Sequence, residues 1–568
     1  MYRFLDKRPL ENVLLLASIA FGLVHAWVGR YSINPDGVSY LDMGDALVRG
    51  DWAHAVNAYW SPLYGWMLGL AVGEIRPTPR WEFPVAHAVN FAIFLVALLC
   101  FRFFLHEVIR FGQERTSVDQ ANSERRVAVP EWILLLLGYS IFLWASLELV
   151  SLYDVSPDQA VLACVCLEAG YLLRLRRNPT FRNFAFFGLL LGLGYWIKAI
   201  LFPLGFLTVF FVYLWERPSR ISRHGPMLSA LVFLGVSAPL VLLLSWQKGR
   251  PTFGDSGKLN YAWAVSPRTF WRNWQGEAPG SGTPAHPTRQ LVQRPPVFEF
   301  AGPIPATYPP WADPSYWNEG LQWHFRIRPQ MEVLAANFAS EIRLLLRAQP
   351  GVVIAVIVLA LFSAGVWFAN LRDLWPLIAL PAAAFAVYLP VHVEDRFLGG
   401  FVVVLFLTLL AAVQLCPADL GSARYVAIAV FITMALGTAD VTLRYATDHL
   451  AIPGSGPNSA WQHVVTAEQL QRMGARPGDR VAVIGDGTGA YWARLAKLRI
   501  VAEVTGANHG SAQFWESPED VKENVYAAFA STGASLGVAS CPSHAASGWQ
   551  TISGTDYCVL RLNSNRSR

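Results

Sequence analysis

One stretch of the chain, residues 34–64, combines acidic and aromatic side chains directly after the first apolar run. It opens with Pro-Asp-Gly around Asp36, which predicts a turn. A short amphipathic helix is expected next, with Asp42 and Asp45 on one face because they are three residues apart. An Asp in a turn usually hydrogen-bonds its own backbone, but a positioned carboxylate can also act as a general base. Which applies to Asp36 depends on the polar groups that lie near it.

The composition is that of a membrane protein. Of 568 residues, 54% are hydrophobic and 15% are charged, whereas soluble domains carry roughly 25% charged residues. The 22 Trp, 34 Phe and 19 Tyr suit a bilayer with aromatic belts at its surfaces. The net charge of +5 is modest, and the basic residues lie in short loops, which indicates topology and argues against nucleic-acid binding. The sequence therefore predicts an α-helical polytopic membrane protein.

Apolar runs long enough to span a bilayer recur along the first 441 residues. A span needs roughly 17 to 25 mostly apolar residues, and about eleven runs meet this rule. They are 12–29, 85–105, 131–149, 157–174, 182–198, 200–215, 226–246, 350–370, 374–391, 397–415 and 424–441. The apolar segment 60–72 is shorter, and we interpret it as re-entrant or interfacial.

Basic residues mark every second loop and predict the orientation. They are Arg3, Lys7 and Arg8; Arg110, Arg115, Arg125 and Arg126; Arg174, Arg176, Arg177 and Arg182; and Arg217, Arg220 and Arg223. The positive-inside rule places these loops and the N-terminus in the cytoplasm. The segments between them are then outside: 31–84, 150–156, the turn near Lys198, the long loop 247–349, the turn 392–396 and the tail from about residue 442.

The tail, residues 452–568, lacks the long apolar runs of the preceding chain and looks soluble, which predicts a second domain. We expect a transmembrane catalytic domain over 1–446 and a soluble extracytoplasmic α/β domain over 452–568, because strands near 480–485 and 500–504 alternate with helical segments. Cys541 and Cys558 both lie in this tail, and an oxidising compartment would permit a disulfide between them.

With this orientation, the unusual polar residues collect on the outer side. They are Asp36, Asp42 and Asp45; Glu148, Asp154 and Asp158; Lys198; and His392, Glu394, Asp395 and Arg396. Each has an ordinary explanation: Asp158 suits the first turn of a helix, Lys198 can reach the headgroups, and Glu394 with Arg396 can form a surface pair. Their shared side favours a site, because ionisable residues at membrane depth are costly and often functional.

A sugar carried on a polyprenyl phosphate would need this set of groups. A carboxylate would accept the proton of the acceptor hydroxyl, and fixed positive charge would stabilise the departing phosphate. Asp36 is the predicted base. Asp158 would orient the base or the acceptor, or help to hold a divalent cation. Lys198 and Arg396 would bind the phosphate.

At these positions the chain resembles the GT-C superfamily of lipid-phosphate-sugar glycosyltransferases, near the protein O-mannosyltransferases and the aminoarabinose transferases of bacterial lipid A. The matching segments are Pro35-Asp36-Gly37 through Tyr40, Ser61-Pro62-Leu63-Tyr64, Ser156-Pro157-Asp158, Gly192 to Lys198, and Glu394-Asp395-Arg396-Phe397. The chain departs from the family's pattern at Gly37, Ser61 and Phe397, which leaves the donor type and any metal role open.

The resemblance implies a GT-C-like fold and transfer of a hexosyl or pentosyl group to a lipid, polysaccharide or protein acceptor on the extracytoplasmic side of a bacterial inner membrane. The donor-binding residues would include Tyr40, Tyr64, His392 and Glu394. A divalent cation, Mg²⁺ or Mn²⁺, is the one cofactor that it suggests. No nucleic-acid partner is expected.

Two other classes of function remain open at this point. A flippase or transporter of lipid-linked sugars would need polar residues along a path through the membrane, and Glu168 is one of the few candidates. A non-catalytic envelope assembly protein would act through the loop 247–349 and the tail. That reading predicts that Asp36, Lys198 and Arg396 do not share a cavity.

Overall fold

The computed structural model describes residues 7–119, 126–215, 220–266, 273–346, 350–363, 365–450, 460–505, 510–542 and 548–562. Of the basic residues used above for orientation, Arg3, Arg125 and Arg217 lie outside these ranges, as do the side chains of Lys7, Arg220 and Arg223.

The described residues form mostly helices, with short strands in the second half of the chain. The helices are α1 (Lys7–Val28), α2 (Pro35–Val48), α3 (Trp52–Ala55), α4 (Pro62–Ile75), α5 (Pro79–Asp119), α6 (Glu131–Trp144), α7 (Asp158–Arg177), α8 (Phe181–Ile197), α9 (Leu201–Trp215), α10 (Arg220–Lys248), α11 (Ser256–Val265), α12 (Pro309–Ala312), α13 (Pro314–Trp317), α14 (Ile327–Leu346), α15 (Pro350–Phe362), α16 (Trp367–Asp373), α17 (Trp375–Tyr388), α18 (Asp395–Ala411), α19 (Leu420–Leu450), α20 (Trp461–Arg472), α21 (Tyr491–Leu495), α22 (Gly510–Glu516) and α23 (Glu519–Ser531). The strands are β1 (Val127–Ala128), β2 (Arg289–Val292), β3 (Val297–Glu299), β4 (Gln414–Leu415), β5 (Arg480–Gly485), β6 (Arg499–Thr505), β7 (Leu536–Ser540), β8 (Gln550–Thr551) and β9 (Tyr557–Arg561).

The protein is a multi-pass membrane protein, and each predicted span overlaps with helix in the described residues. The span 350–370 contains α15 and part of α16, with residue 364 outside the described ranges, and the span 397–415 ends in β4. By length and apolar composition, 5 of the described helices could cross a membrane, or up to 7 if each of two bent helix pairs is one span. Two shorter apolar helices, α8 and α9, follow one another, as the sequence predicts. The predicted number of spans therefore stays a prediction. The apolar segment 60–72 largely coincides with α4, which has 14 residues.

The Pro-Asp-Gly segment is not a separate turn, as the sequence suggested, but the first turn of α2. Asn34 caps this helix, and its side-chain oxygen accepts a hydrogen bond from the amide of Gly37. Pro35 follows the cap, where its missing N–H costs nothing and its φ suits a helix. Asp36 is thus the acidic residue of a helix N-terminus, which favours its ionised form.

Helix α2 is held against α4 by a close contact between two glycines. A Cβ added at Gly44 would lie 2.6 Å from the backbone of Gly69, and the reverse substitution would be equally crowded. Larger residues at this crossing would push the two helices apart. The contact therefore fixes the position of α2 and of the acidic side chains that it carries.

A seven-stranded sheet forms the core of the C-terminal region, with strand order β2-β3-β6-β5-β7-β9-β8. The predicted α/β character of the tail is confirmed, and β5, β6 and β7 run parallel, as strands joined by helices do. The hairpin β2–β3 was not predicted. It belongs to the long loop 247–349 and extends the sheet by antiparallel pairing of β3 with β6. Cys541 and Cys558 are free thiols in this structure.

Candidate active site

Four residues far apart in the sequence meet at one end of the helical bundle, and we call them the mouth cluster: Asp36, Asp158, Lys198 and Arg396. Asp36 lies in the first turn of α2, Asp158 begins α7, Lys198 follows α8, and Arg396 is the second residue of α18. The ends of four elements therefore converge on one place, as the sequence predicted from their common side.

Arg396 is the centre of the mouth cluster. Its Nη2 donates to Asp36 Oδ2 at 3.0 Å, and its Nε lies 3.8 Å from Asp158 Oδ2. Lys198 Nζ contacts the other oxygen of Asp158 at 2.5 Å and stands 3.9 Å from the centre of the Phe397 ring. Asp158 is almost fully buried, whereas the Asp36, Arg396 and Lys198 side chains are about one-fifth exposed. The charges are therefore paired, and three of the four groups remain reachable.

Glu394 and His392 flank Arg396 at the turn before α18. Arg396 Nε donates to Glu394 Oε2 at 2.5 Å, and Glu394 Oε1 lies 3.0 Å from His392 Nε2. Burial acts to raise the pKa of Glu394, but the hydrogen bond from His392 and the charge of Arg396 outweigh it and lower the pKa to about 2. Glu394 is thus ionised at any physiological pH, and it orients the guanidinium of Arg396.

Trp311, which sequence reasoning did not single out, covers Asp36 from the long loop 247–349. Its indole Nε1 donates to Asp36 Oδ1 at 3.2 Å. Its carbonyl oxygen accepts from Ser39 Oγ at 2.9 Å and from Trp60 Nε1 at 3.1 Å, which fixes this part of the loop on α2. The aromatic richness of residues 308–323 was the only sequence signal, and it did not single out Trp311.

Two opposing effects act on the pKa of Asp36. Burial raises the pKa of Asp36, and Arg396 and Trp311 offset part of that rise by stabilising the ionised form. Each carboxylate oxygen has two lone pairs, and one hydrogen bond occupies only one of them. The group can therefore accept a further proton, and its pKa lies closer to neutrality than that of an exposed Asp.

Tyr40 and Tyr64, two other predicted site residues, lie beneath the mouth cluster and are almost completely buried. Their rings contact each other edge to face at 5.0 Å, and Tyr40 also packs on Trp60. The hydroxyl of Tyr64 donates to Asn90 Oδ1 at 2.6 Å. In this structure the two tyrosines support α2 and α4 and do not line the cavity described next.

A cavity of about 570 Å³ opens in front of the mouth cluster. Its lining includes Asp36, Glu148, Asp154, Glu394, Asp395 and Arg396. The volume lies within the roughly 300–1,000 Å³ of small-molecule sites. Burial raises the pKa of Asp154 to about 6, and the neighbouring carboxylates of Asp158, Asp36 and Glu394 act in the same direction, against Arg396.

The residues do not fit a divalent cation bound between Asp36 and Asp158. The guanidinium of Arg396 contacts both carboxylates and stands where such an ion would bind. Within the described ranges, no group of three or more His, Cys, Asp or Glu side chains is placed to hold a metal ion. Arg396 supplies the positive charge at this position.

A second charged cluster, which we call the anchor cluster, lies further along α2: Asp42, Asp45, Glu82, Arg494 and Lys497. Arg494 of α21 is buried and contacts Asp42 at 2.8 Å, Asp45 at 2.7 Å and Glu82 at 2.6 Å. Burial acts to raise the pKa of Asp45, but Arg494 and Lys497 outweigh it and lower the pKa to about 2. Helix α2 is thereby joined to the C-terminal region.

Comparison with solved structures identifies the architecture. ArnT from Cupriavidus metallidurans bound to undecaprenyl phosphate matches over 98% of this chain and 98% of its own, with a TM-score of 0.55 and 12% identity. The chain has the GT-C fold. ArnT in the apo state matches over 97% of this chain and 98% of its own, with a TM-score of 0.53 and 11% identity.

A second GT-C protein, the oligosaccharyltransferase of Archaeoglobus fulgidus in complex with Zn and sulfate, matches over 94% of this chain and 68% of its own, with a TM-score of 0.50 and 12% identity. No protein-family model and no curated protein matches the sequence. The agreement with these GT-C structures includes the C-terminal region, because nearly the whole chain is covered. The predicted fold is therefore confirmed.

Proposed function

We propose that the protein is a membrane glycosyltransferase that moves a sugar from a polyprenyl-phosphate carrier to a hydroxyl acceptor, with Asp36 as general base. The observation that carries this proposal is the mouth cluster, in which the partly exposed carboxylate of Asp36 contacts Arg396 at the edge of a cavity, and Asp158 joins Arg396 to a second cation, Lys198. The GT-C fold shared with ArnT, which was crystallised with undecaprenyl phosphate, supports the same donor class.

The proposed reaction has one displacement step. Asp36 accepts the proton of the acceptor hydroxyl as that oxygen attacks the anomeric carbon of the donor sugar. The bond between this carbon and the phosphate oxygen breaks, and the electron pair leaves with the polyprenyl phosphate. Arg396 and Lys198 stabilise the negative charge on the leaving phosphate. Lys198 has three N–H donors, so it can bind the phosphate while it keeps its contact with Asp158.

Asp158 and Glu394 have positioning roles in this proposal. Asp158 bridges Lys198 and Arg396, which holds the two cations on one side of Asp36. Glu394 fixes the Nε edge of Arg396, and His392 in turn contacts Glu394. Tyr40 and Tyr64 act through α2, because they are buried beneath it. A donor-binding role for them would need this region to open.

The membrane arrangement is part of the proposal. The N-terminus would be cytoplasmic, the catalytic domain would span 1–446, and the domain 452–568 would lie outside the inner membrane of a bacterium. Reporter fusions after residues 115 and 450 test this directly. A cytoplasmic reporter should be active only at the first position, and an extracytoplasmic reporter only at the second. The reverse pattern would contradict the orientation.

Transfer is tested with purified protein, polyprenyl-phosphate hexoses and pentoses labelled in the sugar, and a panel of hydroxyl acceptors. Asp36→Asn should lower turnover by roughly 10²- to 10⁴-fold, since the general base is lost. Asp51→Asn is the matched control: it lies in the same outer segment, 29% exposed, and its carboxylate faces His54. Turnover that survives Asp36→Asn would remove Asp36 from its role. If no donor is consumed under any condition, the transfer reaction itself is rejected.

A further inference from the structure

The cavity in front of the mouth cluster is strongly acidic. Five carboxylates line it, from Asp36, Glu148, Asp154, Glu394 and Asp395, against the single guanidinium of Arg396. Outside the lining, Arg343 is the cation that faces Asp395. Lys198 is not part of the lining and lies on the far side of Arg396, beside Asp158. Of the two cations of the mouth cluster, Arg396 therefore belongs to the acidic lining and Lys198 does not.

The backbone is irregular next to two of these carboxylates, Glu148 and Asp154. Glu148 belongs to a π-helical segment, Ala145–Leu149, that continues α6, and such segments are frequent at functional sites. Ser151, three residues later, has a φ of +68°, which is uncommon for a residue with a Cβ. One carboxylate oxygen of Glu148 is buried and has no hydrogen-bond partner within the described part of the chain. A ligand donor would supply that partner.

The rim of the cavity also offers a flat ring. Tyr153 is 42% exposed and lines the cavity together with Glu148 and Asp154, and its ring centre lies 5.6 Å from that of Tyr445. An aromatic face next to carboxylate oxygens suits a sugar ring, which has an apolar face of C–H groups and an edge of hydroxyl donors. Phosphate or carboxylate groups on a ligand would instead meet like charges.

From these observations we infer that the acceptor is a sugar hydroxyl on a glycan or glycolipid headgroup without phosphate or carboxylate near the reacting position, and that Glu148 and Asp154 select against such anions. The inference rests on the proposed transfer reaction and names the acceptor class for it. The donor phosphate binds near Lys198 and Arg396. One site can thus bind an anionic donor and reject an anionic acceptor.

The test compares two acceptors of equal shape, octyl glucoside and octyl glucoside 6-phosphate, in wild type and in the double variant Glu148→Gln/Asp154→Asn. In the wild type, kcat/KM for the neutral acceptor should exceed that for the phosphorylated one by at least tenfold. In the double variant this ratio should fall at least threefold. The control Asp51→Asn/Glu332→Gln removes two charges at positions where the carboxylates face His54 and Arg328, and its ratio should stay unchanged.

A binding measurement separates this inference from the transfer reaction. Saturation-transfer NMR without donor should detect octyl glucoside on the wild-type protein, and the 6-phosphate should not compete with it. If transfer occurs but the phosphorylated acceptor is preferred, or if the double variant leaves the ratio unchanged, the inference is overturned while the transferase proposal stands. If no donor is consumed but the neutral ligand still binds selectively, the transfer reaction falls and the charge selection stands.

Discussion

Helix α2 takes part in two charged clusters that differ in their surroundings. Asp36 of the mouth cluster faces a cavity of about 570 Å³, whereas Asp42 and Asp45 of the anchor cluster contact a buried arginine, Arg494. Both clusters pair carboxylates with cations at similar distances. Ion pairing alone therefore does not identify a site, and access to a ligand is what separates the two.

Substitutions in the anchor cluster should destabilise the protein more than substitutions in the mouth cluster. Arg494→Leu removes the buried cation that contacts Asp42, Asp45 and Glu82, and leaves Lys497 to pair with Asp45 and Glu82. Removal of one partner from a buried network costs about 3–5 kcal/mol. Thermal or denaturant unfolding of the purified protein measures this loss. Arg472→Leu is the matched control, because Arg472 is 67% exposed and pairs only loosely with Glu468, so it should cost less than about 1 kcal/mol. Equal effects of the two substitutions would contradict a stabilising role for the anchor cluster.

Substitutions in the mouth cluster should lower activity with little loss of stability. Arg396→Lys keeps the charge, but an ammonium cannot donate to Asp36 and Glu394 with the planar geometry of a guanidinium. We expect kcat/KM to fall roughly 10²-fold, as it does when one donor to a developing anion is lost. Unfolding should change by less than about 1 kcal/mol. The control is Arg328→Lys, an 89% exposed residue paired with Glu332, which should be neutral in both assays. If Arg396→Lys instead lowers stability strongly while the folded fraction keeps wild-type activity, the mouth cluster would have the structural role that is assigned here to the anchor cluster.

The hydrogen bond from Trp311 should lower the pKa of Asp36. Trp311→Phe keeps a ring but removes a donor to the ionised carboxylate, so the pKa of Asp36 rises. A hydrogen bond to a charged group contributes about 1.5–3 kcal/mol, and the acidic limb of the pH–kcat profile should move upward by roughly 1 to 2 pH units. Trp263→Phe is the control, since that indole N–H has no partner among the described residues. A profile that falls in height without moving would assign Trp311 a packing role only.

Titration of Asp154 should have the smallest effect, and this effect should be confined to a defined range of pH. Its pKa of about 6 is raised from 3.8, so the folded state holds this proton while the unfolded state has lost it. The contribution of Asp154 to stability therefore falls as pH rises from about 4 to 6. Over pH 5 to 7 the cavity gains one negative charge, and KM for a phosphorylated acceptor should rise roughly two- to tenfold. The phosphate of the acceptor also titrates at about pH 6, so Asp154→Asn should weaken this dependence relative to the wild type, and an unchanged dependence would assign it to other groups.

The sequence predicted the mouth cluster because topology is encoded locally. Apolar runs and basic loops place Asp36, Asp158, Lys198 and Arg396 on one side, and few positions at the helix ends are then available to them. The strands of the tail were also predictable, since short apolar runs such as β5 are bounded by turn residues.

The contacts between distant segments were not predictable. Arg494 lies in a five-residue helix, and nothing near it in the sequence shows that it is buried against α2. Strand β3 has three residues within a proline-rich loop, which is too short for an alternating pattern to be seen. Trp311 is one of many aromatic residues in its loop, and only its contact with Asp36 distinguishes it. In each case a partner far along the chain decides the role.

The central claim is that α2 serves catalysis at Asp36 and attachment at Asp42. It is tested most directly by measuring sugar transfer and thermal unfolding for Asp36→Asn and Asp42→Asn in parallel. We predict that Asp36→Asn loses transfer by roughly 10²- to 10⁴-fold and unfolds within a few degrees of the wild type. Asp42→Asn should transfer sugar at a similar rate per folded molecule but unfold at a clearly lower temperature. If Asp36→Asn retains transfer, or if Asp42→Asn alone abolishes it in the folded protein, the account is contradicted.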